Sequence, residues 1–516
     1  MAPTSAARGA QPDRVPWHPR PVFRSAFLLL LVACTPHRVT RAPAPPIDAP
    51  QAFAGASTSA GAALPDRWWT VFDDPALDRL VARALGGNFD LRAAWARVAQ
   101  VRALGGQLDT RLPDVSLAAS AARSRSASPP LTIELPPGFT IDDTSTANRG
   151  SLAIQAGYEL DLWRRMGSQR SAAAHDLAAL TDDTATIAMT IAAEVTTAWL
   201  DLRTARAQAA LLAEQLRLTL AQLELLKDRL RAGLGATALD IFQQRSLAAQ
   251  LRAQAVQVAA SEIGIRARLA TLCGVTPGEL DAELAAGPAS LPAVPPVPAV
   301  GVPADLLVRR PDVRAARRRV EAADWRVAAA IADRLPALRL SGSAGLEGFT
   351  LRQLIETPVY SVLAALTAPL FDSGRRKAKV AEQRAVVEER LAGYARALLA
   401  AATEVESALA GERHAVALAG ELEEQRTLAA ATVAAAVDRY RDGQIDYLPV
   451  LQAVQTEQRL GIAVLDARRA HLALRLQLYR ALGGTWTTAL RAPAPLPLRA
   501  SDAAPAAPAP APRGRP

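Results

Sequence analysis

The sequence predicts a mainly α-helical protein that also carries a membrane β-barrel, built from two copies of one strand–strand–long-helix–helix unit. Three observations predict it. Residues 168–232 contain neither glycine nor proline, and residues 375–442 form a second proline-free stretch of similar length. Short segments in which apolar residues alternate with small or polar ones precede each stretch. A set of short motifs recurs, in the same order, in both halves of the chain.

The composition agrees with long helices. Of 516 residues 50% are hydrophobic, but alanine and leucine carry most of that fraction and aromatics are only 4%. With 21% charged residues this is a helical profile rather than that of a β-sandwich. The formal net charge is +9, yet acids and bases are interspersed. The excess reads as solvated surface, and no nucleic-acid partner is expected. The two cysteines, Cys34 and Cys273, make neither a zinc-type nor a redox pair, and Cys273 sits in an apolar stretch as a small hydrophobe. Five scattered histidines do not suggest a metal centre. No nucleophile elbow, phosphate-binding loop or zinc-protease motif occurs. The expectation is therefore no catalytic residue, no metal and no cofactor. Glu404 and Glu406, in an alanine-rich helix, read as lining a tunnel or its surface.

At the N-terminus Arg20 and Arg24 precede an apolar run over residues 26–33, and Cys34 follows. A charged region, a short apolar core and a small residue before the cut make a signal peptide, and the run is too short to span a bilayer. Leu31-Val32-Ala33-Cys34 resembles the bacterial lipobox, which implies lipidation of Cys34. An ordinary signal peptide with a chance cysteine is the alternative. Expected boundaries are a lipoprotein signal peptide over 1–33, a lipidated flexible linker over 34–66, a first repeat over 67–286, a proline-rich linker over 287–304, a second repeat over 305–487 and a disordered Ala/Pro tail over 488–516.

Each strand expectation rests on period-two alternation. Val115, Leu117 and Ala119 alternate with small or polar residues, and Leu152, Ile154, Ala156, Tyr158 and Leu160 do so more clearly. Such strands have one apolar and one polar face, as on a barrel with lipid outside and water inside. A half-buried soluble hairpin gives the same alternation. In the first long stretch Leu212, Leu216, Thr219, Leu223, Leu226 and Leu230 alternate spacings of four and three. That heptad, with one polar lapse at Thr219, predicts coiled-coil packing.

The repeats are in register. Leu112-Pro113 matches Leu335-Pro336, an offset of 223; Gly233 matches Gly443 and Gly274 matches Gly484, both offsets of 210. The first copy thus has 13 more residues between the Leu-Pro strand and the glycine turn, expected in an exposed strand connection, where extra length costs little. Two copies give four strands. Four strands cannot close a barrel, for which about eight is the practical minimum, so the chain must oligomerise or the strands are not transmembrane.

Several further motifs carry a family resemblance: Trp68-Trp69-Thr70-Val71-Phe72, Tyr158-Glu159-Leu160-Asp161-Leu162-Trp163, Arg309-Arg310-Pro311-Asp312-Val313, Pro369-Leu370-Phe371-Asp372 and Tyr440-Arg441-Asp442-Gly443. With these the chain resembles, from Trp68 to Trp486, the TolC-like outer membrane factors, in their efflux lipoprotein branch. The resemblance implies a homotrimer with one twelve-stranded barrel in outer-membrane lipid and an α-helical periplasmic tunnel. It implies a passive exit duct that takes small molecules from an inner-membrane pump through a periplasmic adaptor. Type I protein secretion is the alternative cargo, and a non-channel periplasmic coiled-coil scaffold is the remaining rival.

The glycine turns supply the candidate site. Arg229, Arg231, Gly233 and Asp240 lie at one tip, and Arg439, Arg441, Asp442, Gly443 and Asp446 at the other. In the family such tips face the adaptor and form the closed gate, so these charges are expected to pair across subunits or meet the adaptor. Solvated helix ends are the alternative. The first turn carries one residue more before its aspartate than the family pattern. Arg309-Arg310-Pro311-Asp312 reads as helix capping. Trp68, Trp69 and Trp163 read as interface anchors or core residues alike.

Overall fold

The computed structural model describes residues 37, 39, 44, 47, 52–53, 65–107, 112–127, 144–284, 288–301 and 303–494. The expected signal peptide, the lipidation candidate Cys34, most of the first strand connection and the tail beyond residue 494 lie outside them. In chain order the elements are α1 (Pro75–Gly87), α2 (Phe89–Gln107), β1 (Asp114–Ala127), β2 (Thr144–Leu160), α3 (Arg165–Arg231), α4 (Ala238–Cys273), α5 (Pro277–Leu284), α6 (Leu306–Arg309), α7 (Pro311–Ala332), β3 (Ala337–Gly348), α8 (Leu351–Glu356), β4 (Pro358–Thr367), α9 (Arg375–Arg441) and α10 (Tyr447–Leu482). The repeat is plain in the lengths. Both α3 and α9 have 67 residues, and both α4 and α10 have 36. At about 1.5 Å per residue the longer pair reach roughly 100 Å.

The chain divides into two compact units. One comprises residues 110–169 and 324–384, and its described residues hold a single sheet of order β1–β2–β3–β4, antiparallel throughout. Its register sorts the side chains. Leu117 lies opposite Ile154, Ile154 opposite Ala344, and Ala344 opposite Tyr360. On that face Val115, Leu117, Ile154, Tyr360 and Val362 are 55–88% exposed. The other face carries Ser116, Gln155, Arg339 and Ser343, tied by cross-strand bonds: Ser120 to Ser151 at 2.8 Å, Ser343 to Ser361 at 2.8 Å and Arg339 Nε donating to Glu159 at 3.2 Å. A slip of one residue would exchange the two faces.

Aspartates start both long helices from the strand connections. Asp161 accepts from the Met166 and Gly167 amides at 3.0 and 2.6 Å, and Asp372 from the Gly374 and Arg376 amides at 3.1 Å each. Each carboxylate satisfies amides that the first helical turn leaves without partners. Trp163 donates from Nε1 to the Pro336 carbonyl at 2.7 Å, fixing the end of β2 beside the start of β3.

The extra length of the first copy is shared between connection and strands, which corrects the expectation that the connection holds it all. The first hairpin runs 47 residues, Asp114 to Leu160, and the second 31, Ala337 to Thr367. Strands β1 and β2 have 14 and 17 residues against 12 and 10 for β3 and β4. Three residues are returned where the β2–α3 link is shorter than the β4–α9 link. The added strand pairs differ chemically. On the face that is apolar lower down, Arg123 lies opposite Asn148 and Arg125 opposite Thr146. The apolar band on β2 therefore stops at Gly150 and covers the eleven residues from there to Leu160.

The second unit holds most of the helical mass. Its main core gathers Trp68, Trp69, Phe72, Trp199 and Trp486, with edge-to-face contacts of 5.4 Å for Trp68–Trp69 and 4.9 Å for Trp69–Trp486. Trp68 and Trp69 are thus core residues, not interface anchors. α1 and α4 cross at two glycines: a Cβ on Gly87 would meet the Cys273 carbonyl oxygen at 2.3 Å, and one on Gly274 would meet that of Gly87 at 2.3 Å. Cys273 is fully buried there, and burial pushes its thiol up to about 11. A second core contains Leu306, Val313, Tyr394, Leu398 and Leu478, and Phe53 is 3% exposed within it. Part of the expected flexible linker is therefore seated in a core. The proline-rich residues 288–301 form no helix. They are held by Arg203 Nε donating to Ser290 O at 2.8 Å and Tyr479 OH donating to Pro296 O at 3.2 Å.

Arg310 is the hub of the motif read as capping. It is 8% exposed and donates to Asp312, to Glu404 at 2.8 Å and to the Ala481 carbonyl at 3.0 Å. Burial alone would lower its pKa, but the two carboxylates outweigh that and hold it above the usual guanidinium value. Glu404, with its side chain 38% exposed, is engaged by this arginine where α7 and α9 pack together.

Candidate functional site

Among the described residues two features stand out: the helical tips and the apolar sheet face. At both tips the helix ends the same way. Gly233 (φ 69°) and Gly443 (φ 74°) adopt the left-handed conformation. Leu234 N donates to Arg229 O and Gly233 N to Leu230 O; Gln444 N donates to Arg439 O and Gly443 N to Tyr440 O. This double closure needs a residue that tolerates positive φ, which glycine does without steric cost. After it the first connection is one residue longer, residues 232–237 against 442–446. The shift persists to the helix ends. Gly483 (φ 77°) caps α10 as Gly274 (φ 68°) caps α4, so the structural match of Gly274 is Gly483, not Gly484.

The tip charges fall into two groups. Arg229 is held within the chain. It donates to the Leu234 carbonyl at 3.0 and 3.2 Å, and its guanidinium lies 4.8 Å from the Tyr440 ring centroid. Asp240 is likewise engaged, in a capping box with Thr237: its carboxylate accepts from the Thr237 amide at 2.8 Å. Arg231 and Arg441 make only exposed pairs one turn back, with Asp228 at 2.7 Å and Asp438 at 3.6 Å. Such pairs are worth little. Arg439, Asp442 and Asp446 are exposed and make no ion pair with any described residue. The unspent charge is concentrated on the second tip.

Behind the tips lies a layer that sequence reasoning missed. Tyr440 and Tyr447 meet at 5.3 Å, and Tyr447 OH donates to Gln244 Oε1 at 2.7 Å. Gln244 in turn donates to Thr219 O at 2.9 Å, and Gln458 Nε2 to Thr219 Oγ1 at 3.3 Å. Burial raises the pKa of both tyrosines, so both hydroxyls stay protonated. The one signal was Thr219, the polar lapse of the heptad, which is 2% exposed. This buried network links α3, α4 and α10 and fixes their register.

Among the described residues no cluster of His, Cys, Asp and Glu could hold a metal ion, and no helix is long and apolar enough to cross a membrane. The family model described as "Outer membrane efflux protein" matches residues 80–275 and 302–484. The chain belongs to the outer membrane efflux protein family. It is 33% identical over 490 residues to a pyoverdine export outer membrane protein, OpmQ, of Pseudomonas putida, covering 91% of this chain and 98% of the relative. It is 29% identical over 472 residues to a toluene efflux pump outer membrane protein, TtgF, of Pseudomonas putida, with 87% and 94% covered. Its fold matches the solved outer-membrane channel OprN with a TM-score of 0.78 at 29% identity, covering 88% of this chain and all of that one. Like other outer membrane efflux proteins it is a transport duct component of mostly helical build.

Proposed function

We propose that this chain is the outer-membrane exit duct of a tripartite efflux system. Three copies would close a twelve-stranded barrel, with a helical tunnel on the periplasmic side, a lipid anchor at Cys34, and a periplasmic adaptor and inner-membrane pump as partners. The sheet carries the reading. One face is apolar and open to solvent, the other is polar, and the outer edges of β1 and β4 pair with no described strand. An exposed apolar face of this size in water marks a surface with a partner. The apolar band of eleven residues on β2 is the length of a tilted membrane-spanning strand, about 9–11 residues. Open edges cannot face lipid, because backbone groups there would lose their hydrogen bonds, so closure needs further copies. The polar extension of the first hairpin beyond Gly150 then stands in the extracellular loops.

Small-molecule cargo is supported by the pyoverdine and toluene named for the relatives. At the closed end, Arg439, Arg441, Asp442 and Asp446 of each copy would pair across subunits or with the adaptor, with Arg231 flanking them. Arg229 and Asp240 would hold their own tip in shape, and Gly233 and Gly443 would make the reversals. Single-channel recording in planar bilayers tests this. Arg441→Ala combined with Asp446→Ala is expected to raise conductance severalfold over the wild type, with Thr237→Ala, at the capping box, close to wild type. Unchanged conductance in the double variant would remove these charges from the gate.

A further inference from the structure

The apolar face of the sheet changes character at the end away from the long helices. Every acid of the described strands, Asp114, Glu159 and Glu347, lies on the opposite, polar face. Within the described strands the apolar face is charged at Arg123 and Arg125 alone, both on the extension of β1 beyond the apolar band. Arg123 is exposed and forms no ion pair with a described residue. It stands opposite Asn148, two residues past Gly150, and so about 7 Å beyond the end of the band at 3.4 Å per residue. Arginine placed there keeps its stem on apolar surface and its charge at the polar boundary.

A cleft adjoins it. Gly150 and Gly348 lie opposite each other on the same face. A Cβ on Gly150 would touch the Leu354 side chain at 3.7 Å, and one on Gly348 would run into the Leu354 amide. The short α8 is therefore laid across the end of the apolar face, and glycine lets it come that close. Beside it is a cavity of about 380 Å³ whose lining includes the apolar Ala121, Phe349 and Leu354 and the polar Arg123, Asn148 and Arg149. That is the low end of small-molecule sites, roughly 300–1,000 Å³, so it takes part of a lipid rather than a whole one. Glu347 engages Arg149, while Arg123 is uncommitted.

We propose that this cleft binds the phosphorylated glycolipid of the outer leaflet, lipid A. A phosphate meets Arg123, Asn148 offers its amide to a sugar hydroxyl, and an acyl chain lies against Phe349, Leu354 and the apolar face below. Guanidinium binds phosphate through paired charge-assisted hydrogen bonds. An acid-free face that is apolar below and basic above complements an amphiphile that carries anionic phosphates over hydrocarbon. The site belongs to the first hairpin, since β3 ends at Gly348 and has no such extension. This rests on the reading of the sheet as membrane-spanning with the helices on the periplasmic side, and the test separates the two.

The full-length protein, extracted from outer membranes in mild detergent, is titrated with bis-phosphorylated lipid A, and bound lipid is counted by native mass spectrometry. Arg123→Ala is expected to weaken binding by about tenfold, the loss of one charge-assisted contact. Ala121→Trp, which fills the cleft and leaves the charge in place, is expected to weaken it as well. Arg339→Ala, which removes the same charge from the polar face, is expected to bind as the wild type does. Dephosphorylated lipid A and phosphatidylglycerol are expected to bind much more weakly than bis-phosphorylated lipid A. Wild-type affinity in Arg123→Ala or Ala121→Trp, or equal binding of either comparison lipid, would overturn the site and leave the duct standing. A monomer that stays soluble without detergent would overturn both.

Discussion

Arg310→Ala is expected to be the most destabilising single change outside the sheet. The guanidinium is buried and bridges three elements: its own helix start through Asp312, α9 through Glu404 and the end of α10 through the Ala481 carbonyl. Removing it leaves a half-buried carboxylate and a buried carbonyl without their donor. Breaking a buried pair by deleting one partner costs about 3–5 kcal/mol. Because Glu404 is 38% exposed, water recovers part of its loss, and the lower end applies. The check is thermal unfolding of the detergent-solubilised protein followed by its helical circular dichroism. Arg310→Lys is expected to lie between wild type and alanine, since an ammonium keeps the charge but cannot fork to two carboxylates and a carbonyl. If the lysine and alanine variants unfold together at the wild-type midpoint, Arg310 is not the hub.

Ile154→Arg is expected to have the other large effect, on insertion rather than helix packing. Ile154 sits mid-strand on the apolar face, between Leu117 and Ala344 in the register. An arginine at the bilayer midplane of a barrel costs about 2–4 kcal/mol, and the cost recurs in each copy. The next residue provides the control. Gln155 faces the polar side, so Gln155→Arg is expected to insert normally. Fractionation of membranes with each variant reads the difference directly. Equal loss, or equal retention, would mean that the two faces do not divide lipid from water.

The helices were legible because they are defined by what is missing. With no glycine or proline between 168 and 232, nothing stops the helix, and its observed ends at Arg165 and Arg231 fall within three residues of the gap. The strands were legible in type, but their faces needed the register, since alternation alone does not say which side meets lipid. The partner of Glu404 was not legible because Arg310 lies 94 residues earlier, and no periodicity reports a contact of that kind. At the tips, sequence located the charges yet could not sort them. Arg229 is engaged by Tyr440 only because the two hairpins pack side by side. Gly484 was preferred to Gly483 for the same reason: adjacent glycines are equivalent on paper, and the positive φ that selects one comes from the cap.

The copy number of the extracted protein bears most directly on the duct. Outer membranes are solubilised in mild detergent and the particle is weighed by native mass spectrometry, before and after heating. The expected result is a heat-labile trimer found in the outer-membrane fraction, because three copies of four strands close one barrel. A monomer that stays soluble without detergent would contradict it.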